Sequence, residues 1–278
     1  MIFSLKPLLS GAALAILAAV AFAPLHAHGD GEAANAEPLG RAFAHNDYYH
    51  PRPLFDALSH GFNAVEADIF RVEDELKVAH TAPEIDPDLT LRSLYLDPIR
   101  ELVEAHGAVH PGGPTPFWLM IDIKSDASYT WPLLNETLSD YEDMLTVVRN
   151  GELERGPVRV VISGNRPIEE MAEADPLYAG VDGRLGDLGN DAPPAFMPWI
   201  SDHWNSRFSW DGVGSMPEDE AAELAEIVGQ AHEDGRMLRF WATPEEPDLW
   251  QKLLDHDVDL INTDDLAGLE AFLRDADE

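Results

Sequence analysis

The chain of 278 residues contains no cysteine, so disulfides contribute nothing to its stability and a lipid anchor on an N-terminal cysteine is excluded. Basic residues are scarce as well: 18 Lys and Arg stand against 52 Asp and Glu, a formal charge of −34. A field of that sign repels polyanions, so no nucleic acid partner is expected and an anionic membrane surface is disfavoured. Only four lysines occur, at positions 6, 77, 124 and 252, which makes any lysine inside an apolar strand conspicuous. No glycine-rich phosphate loop of Rossmann or P-loop spacing follows any candidate strand, and no internal repeat is visible beyond a strand–helix rhythm.

Apolar sequence without interruption is confined to the first residues. Lys6 is followed by an Ala- and Leu-rich stretch, Leu8 to Ala23, and by small residues up to Ala27. That order predicts a signal peptide over 1–27, export to the periplasm or the medium, and no stable membrane anchor after cleavage. Residues 28–38 are Ala, Gly and acidic and read as a flexible leader. What remains, 39–278, suits one domain, and 45% apolar content with seven Trp supplies a full core.

Short β-branched runs alternate with amphipathic segments from Leu39 onward. Strands are expected at 42–45, 64–70, 76–80, 117–124, 158–163, 179–184, 198–202, 237–243 and 259–263. Helices are expected at 54–60, 91–106, 131–149, 167–174, 217–233, 247–256 and 265–274, several with proline near their first turn. Phe117–Ile123 and Val158–Ile162 are apolar without alternation, as in a parallel sheet covered on both faces. An α/β fold, a single (β/α)8 TIM-type barrel, is therefore preferred over a doubly wound open sheet, with an irregular region over 182–210 where Gly, Pro and aromatics crowd together.

The active site of such a barrel is built at the C-terminal ends of its strands. Polar residues gather there: His45 and Asn46, Glu66 and Asp68, His80, Asp122 and Lys124, Ser163, Trp241 and Thr243, and Asn262 to Asp264. Glu66 and Asp68, two apart on a strand, share a face, as do Asp122 and Lys124. A carboxylate flanked by isoleucines is costly to bury unless a cation or donor meets it. Three carboxylates with the Asn46 amide oxygen make a hard site for one divalent cation, Mg2+ or Ca2+. Two histidines, His45 and His80, can divide proton transfer, one as base and the other as acid in either order, with His45 favoured as the base, while Lys124 faces the added negative charge of a phosphodiester transition state. Arg166 has two open readings: it holds a phosphate at the following helix start, or it pairs with Glu169 or Glu170 on the surface.

His-Asn-Asp-Tyr (45–48), Leu54-Phe-Asp-Ala-Leu-Ser-His-Gly, Val65-Glu-Ala-Asp-Ile and Leu91-Arg-Ser-Leu-Tyr-Leu-Asp-Pro resemble the phospholipase C-like phosphodiesterases. That group includes glycerophosphodiester phosphodiesterases, phosphatidylinositol-specific phospholipases C and sphingomyelinase D-type enzymes. More narrowly, the motifs resemble a branch related to the fungal "altered inheritance of mitochondria" proteins. The resemblance implies a phosphoric diester hydrolase with catalytic His45 and His80, metal ligands Glu66, Asp68, Asp122 and Asn46, and Trp241 lining the substrate pocket. Asn46 and Asp122 depart from the glycerophosphodiesterase pattern, which usually has arginine after the first histidine and Glu-x-Lys later. The substrate is thus left as a phospholipid or glycerophosphodiester-like small molecule. The alternatives are a lyase releasing a cyclic phosphate and a non-catalytic binder of a phosphorylated ligand. The oligomeric state is open.

Overall fold

Eight parallel strands close on themselves. In chain order, the strands of the computed structural model, which describes residues 36–114 and 116–276, are β1 (Leu39–Ala44), β2 (Phe62–Val72), β3 (Glu75–Val78), β4 (Phe117–Ile123), β5 (Val147–Arg149), β6 (Glu152–Glu154), β7 (Val158–Gly164), β8 (Ala179–Gly183), β9 (Trp199–His203), β10 (Met237–Trp241) and β11 (Leu260–Thr263). The main sheet runs β1-β11-β10-β9-β8-β7-β4-β2, and β1 pairs with β2 to complete the barrel. The helices are α1 (Phe55–Ser59), α2 (Asp97–His106), α3 (Ala127–Ser139), α4 (Ile168–Glu173), α5 (Glu218–Glu233), α6 (Pro247–Asp255) and α7 (Leu266–Ala276). No helix among the described residues is long and apolar enough to cross a membrane. The expected signal peptide and most of the expected leader lie outside the described residues.

The strand sequences explain both layers. Ala42, Ala44, Val65, Ala67, Leu119 and Ile121 face outward into the helix layer and are fully buried there. Their neighbours Phe43, Ala64, Trp118, Met120, Val161, Trp199 and Leu260 fill the barrel interior, with Trp118 stacked on Trp199 at 5.1 Å. Both faces are therefore apolar, which is why these strands do not alternate. Above this plug the inward positions become polar: Glu66, Asp68, Asp122, Ser163, Asp182, Ser201, Arg239 and Asn262.

Two expectations are corrected. The stretch 76–80 is not a barrel strand: β3 pairs antiparallel with β2, and this hairpin returns the chain so that the Ala79 N–H donates to the Asp68 carbonyl at 3.1 Å. The helix expected over 131–149 ends at Ser139, and Val147–Arg149 forms a hairpin with Glu152–Glu154. Asn150 and Gly151 between them both have positive φ (52° and 79°), the two-residue turn that an Asn-Gly pair favours. His110 is buried, its Nε2 lying 2.9 Å from the Phe62 carbonyl. The irregular 182–210 region is as expected: between β8 and β9 the chain forms only a 3-10 turn, Leu185–Asp187, where other units place a helix.

Candidate active site

A cavity of about 370 Å3 opens at the C-terminal end of the barrel, lined among others by His45, Asn46, Glu66, His80, Asp122, Lys124 and Trp241. The strand pairing sets its acidic side. Asp68 lies level with Asp122 across β2 and β4, and the hairpin turn places His80 beside Asp68. One oxygen each from Glu66, Asp68 and Asp122 lie within 4.8 Å of one another.

Asp68 is fully buried and its two oxygens differ. Oδ2 meets the Tyr48 hydroxyl at 2.7 Å, His80 Nδ1 at 2.9 Å and Lys124 Nζ at 3.0 Å. Oδ1 has no donor among the described residues, and neither does buried Glu66 Oε2, whose nearest cation is Arg239 Nη1 at 3.6 Å. Asp122 Oδ1 faces Lys124 Nζ at 3.2 Å. Buried carboxylate oxygens left facing one another are costly. Burial pushes the Glu66 carboxyl well up, with Arg239 and His45 pulling it down and Asp68 and Asp122 raising it. Asp122 is raised for the same first reason, against the pull of Lys124. A hard divalent cation accepted by these three oxygens would remove that cost, so the residues fit the group. Gly164, at φ 66°, is the neighbour that permits the arrangement: a Cβ there would collide with Asp122 Oδ1 and the Ile123 carbonyl.

Each histidine is anchored through Nδ1. His45 directly follows β1, its N–H donates to the Thr263 carbonyl at 3.0 Å, and its Nδ1 lies 2.8 Å from Asp264 Oδ1. Its Nε2 faces Glu66 Oε2 at 3.9 Å. Burial lowers the His45 pKa, but the Asp264 bond and the charges of Glu66 and Asp264 outweigh it and the net shift is upward. Glu245 holds the Asp264 loop, accepting from the Thr263 hydroxyl at 2.6 Å, the Asp264 N–H at 2.7 Å and the Asp265 N–H at 3.2 Å. The His80 ring has Nδ1 on Asp68, and its side chain is 44% exposed, which leaves Nε2 free to face a ligand.

Asn46 sits in the left-handed region (φ 47°) with Oδ1 accepting the Tyr48 hydroxyl at 2.6 Å. Burial and the Asp68 charge push the Tyr48 pKa far up, so it remains a donor. Beneath this turn the fully buried Asp47 accepts from the Leu54 N–H at 2.5 Å and the Tyr95 hydroxyl at 2.9 Å, which fixes the loop carrying His45 to Tyr48. Trp241 lines the cavity with its ring edge-on to His203, centroids 4.4 Å apart. Lys124 is held above its ordinary pKa; burial lowers it, but Asp122 and Asp68 raise it more. Arg166 neither lines the main cavity nor pairs with Glu169 or Glu170; its Nη1 donates to the Asp182 carbonyl at 2.5 Å.

The sequence reading thus brought together His45, Asn46, Glu66, Asp68, His80, Asp122, Lys124 and Trp241, and missed three residues. Tyr48 stood inside the quoted motif and was given no role. Arg239, buried with its guanidinium 4.3 Å over the Phe43 ring, and Arg184 in the cavity wall interrupt or follow apolar strands as Lys124 does. That same interruption is the signal that marks them.

Comparison with known proteins agrees with this fold. An AIM6-like phosphodiesterase domain matches residues 34–115. The chain is 27% identical over 263 residues to an altered inheritance of mitochondria protein 6 homolog of Arthroderma benhamiae, covering 82% of each chain. It is 28% identical over 274 residues to altered inheritance of mitochondria protein 6 of Eremothecium gossypii, covering 84% of this chain and 69% of the relative. A glycerophosphodiester phosphodiesterase structure from Parabacteroides distasonis superposes with a TM-score of 0.51 at 12% identity, over 87% of this chain and all of that one, a likeness of fold. The expected periplasmic or extracellular location is corrected by the same relatives, fungal proteins named for the inheritance of mitochondria. An apolar N-terminal run read by hydropathy alone does not carry a destination. The motifs, the closed eight-stranded barrel and the relatives together make the chain similar to the phospholipase C-like phosphodiesterases, and to the AIM6-like branch in particular.

Proposed function

We propose that this cavity is the active site of a metal-dependent phosphoric diester hydrolase acting on a small phospholipid-headgroup or glycerophosphodiester-like substrate. The observation that carries the reading is the division of labour around Asp68: Oδ2 is met by Tyr48, His80 and Lys124, while Oδ1 is left without a donor in a cluster where Glu66 and Asp122 each bring a carboxylate oxygen within 4.8 Å of the Asp68 carboxylate. Glu66, Asp68 and Asp122 would hold one divalent cation, with Asn46 as a fourth ligand once its Oδ1 is released from Tyr48. Bound there, the cation supplies positive charge against a non-bridging phosphate oxygen.

Asp264 holds the proton of His45 on Nδ1, so Nε2 is the basic nitrogen and takes the proton of the attacking water or substrate hydroxyl. Asp68 does the same for His80, whose protonated Nε2 gives its proton to the leaving oxygen. Lys124 has a third N–H to offer the phosphate, and Trp241 forms an apolar wall for the alcohol portion. A binder of phosphorylated ligands has no need of two histidines each oriented by its own carboxylate.

The test is phosphorus NMR of a soluble glycerophosphodiester incubated with the chain and Mg2+ or Ca2+. A phosphomonoester signal supports the hydrolase. A cyclic phosphate signal supports attack by a neighbouring substrate hydroxyl instead. An unchanged diester with either cation overturns both.

A further inference from the structure

Two arginines lie just past the ends of β7 and β8, beside the strand that carries Asp122, in a chain that carries almost three acids for each base. Asp182, fully buried at the end of β8, accepts from the Ser163 hydroxyl at 2.7 Å and from the Ser201 hydroxyl, and forms an ion pair with Arg184 Nη1 at 2.7 Å. Arg184 Nη1 also reaches the Gly183 carbonyl at 2.9 Å and Nη2 the Ser163 hydroxyl at 3.3 Å, so its guanidinium is fixed in the cavity wall. One arginine is enough to answer one aspartate.

A second one is present. Arg166 Nη1 donates to the backbone carbonyl of Asp182, the same oxygen that lies 3.3 Å from Arg184 Nη1. Among the described residues no carboxylate comes within ion-pair distance of Arg166, and the side chain of nearby Asp187 accepts from the Arg184 N–H. Burial and the Arg184 charge lower the Arg166 pKa, while the charges of Asp182, Asp187 and Asp122 pull it up. Two guanidiniums that share one carbonyl oxygen repel each other, and an anion reaching both adds to the relief that Asp182 gives Arg184. The space for it exists: Arg166 lines a shallow open recess with Asp126, Ala127, Gly164 and Asn165, and the last two also line the main cavity beside Arg184. Asn165 is itself tied down, its Nδ2 donating to the Ser125 carbonyl at 2.9 Å.

We infer that Arg166 and Arg184 form an anion subsite continuous with the catalytic cavity, and that the preferred substrate is a phosphodiester bearing a second phosphate on its alcohol portion. The inference rests on the phosphodiesterase reading for the diester and on the arginine pair for the second phosphate. Planar forks suit a phosphate, and two of them on rigid strand ends discriminate against a diester lacking it.

The test compares two probes with the same scissile bond, glycerophosphoglycerol and its derivative with a terminal phosphate, on the cation-loaded full chain. The terminal phosphate is expected to lower KM about tenfold or more in the unsubstituted chain. Arg166→Gln leaves the Asp182–Arg184 pair in place, and it should erase most of that ratio. Arg184→Lys, which keeps the charge but loses the fork, should erase part of it. Equal KM values for the two probes, or a ratio unchanged by Arg166→Gln, overturn the subsite while leaving the diesterase reading intact. The same probes titrated by calorimetry into the His80→Ala chain separate the two claims. Preferential binding of the probe with the terminal phosphate, without turnover in the parent, supports the subsite and overturns the diesterase, and equal binding overturns the subsite.

Discussion

His45 Nδ1 and Asp264 Oδ1 lie 2.8 Å apart although 219 positions separate them, because β1 and β11 are neighbours in the closed barrel. This contact decides which histidine nitrogen is basic, and it raises the His45 pKa against the opposing effect of burial. Asp264→Asn is therefore expected to lower kcat/KM by about 10- to 100-fold, short of what a fully buried carboxylate contributes, since the Asp264 side chain is 63% exposed. It should also move the acid limb of the pH–rate profile to lower pH, because a base with a lowered pKa stays deprotonated further into acid. An unshifted limb counts against His45 as the base.

Tyr48 offers one proton to a crowded place, with Asn46 Oδ1, Asp68 Oδ2 and His80 Nδ1 all within 3.1 Å of its hydroxyl. Tyr48→Phe removes a donor from a proposed metal ligand, and partners of that kind typically contribute 10- to 100-fold to cation affinity, so a loss of about tenfold is expected by calorimetry. Affinity equal to that of the unsubstituted chain would show that Tyr48 has no part in shaping the acidic cluster.

Gly164 is where backbone geometry and chemistry meet. Gly164→Ala brings a Cβ against Asp122 Oδ1 at a positive φ, so Asp122 must move or the strand end must bend. The expected result is a fall in stability of about 1–2 kcal/mol together with weakened cation binding. Loss of stability with full cation affinity would contradict the stated role of Asp122.

Much of this was legible in the sequence because strand ends announce themselves: Glu66-x-Asp68 and Asp122-x-Lys124 interrupt runs that would otherwise be entirely apolar, and the barrel follows from the lack of alternation in β4 and β7. What could not be read was geometry depending on return of the chain. His80 reaches Asp68 through an antiparallel hairpin, and a period-two pattern is the same for either direction. Arg184 and Arg166 meet on one carbonyl oxygen only once β7 and β8 are side by side. The location was misjudged for a different reason, since hydropathy at the N-terminus reports no partner or route.

Asp47 gives a pH signature independent of turnover. Burial pushes its carboxyl up to about 7 from an ordinary 3.8, against hydrogen bonds from the Leu54 N–H and Tyr95 hydroxyl. The folded chain therefore holds a proton there that the unfolded chain has released. The stability it contributes is complete below 3.8 and is lost as pH rises through 7. Asp47→Asn should flatten the decline in unfolding free energy between pH 5 and pH 8 by about 2–3 kcal/mol, measured by denaturant titration. A decline as steep as in the parent chain would assign the effect to other groups.

The central claim is that one divalent cation and two anchored histidines act on a phosphodiester together. Its most direct test is the rate of bis(p-nitrophenyl) phosphate cleavage by the chelated chain before and after addition of Mg2+ or Ca2+, beside His45→Ala and His80→Ala. The account predicts activity that appears with the cation and falls at least about 100-fold in each histidine variant. A rate indifferent to the cation, or equal in all three chains, would contradict it.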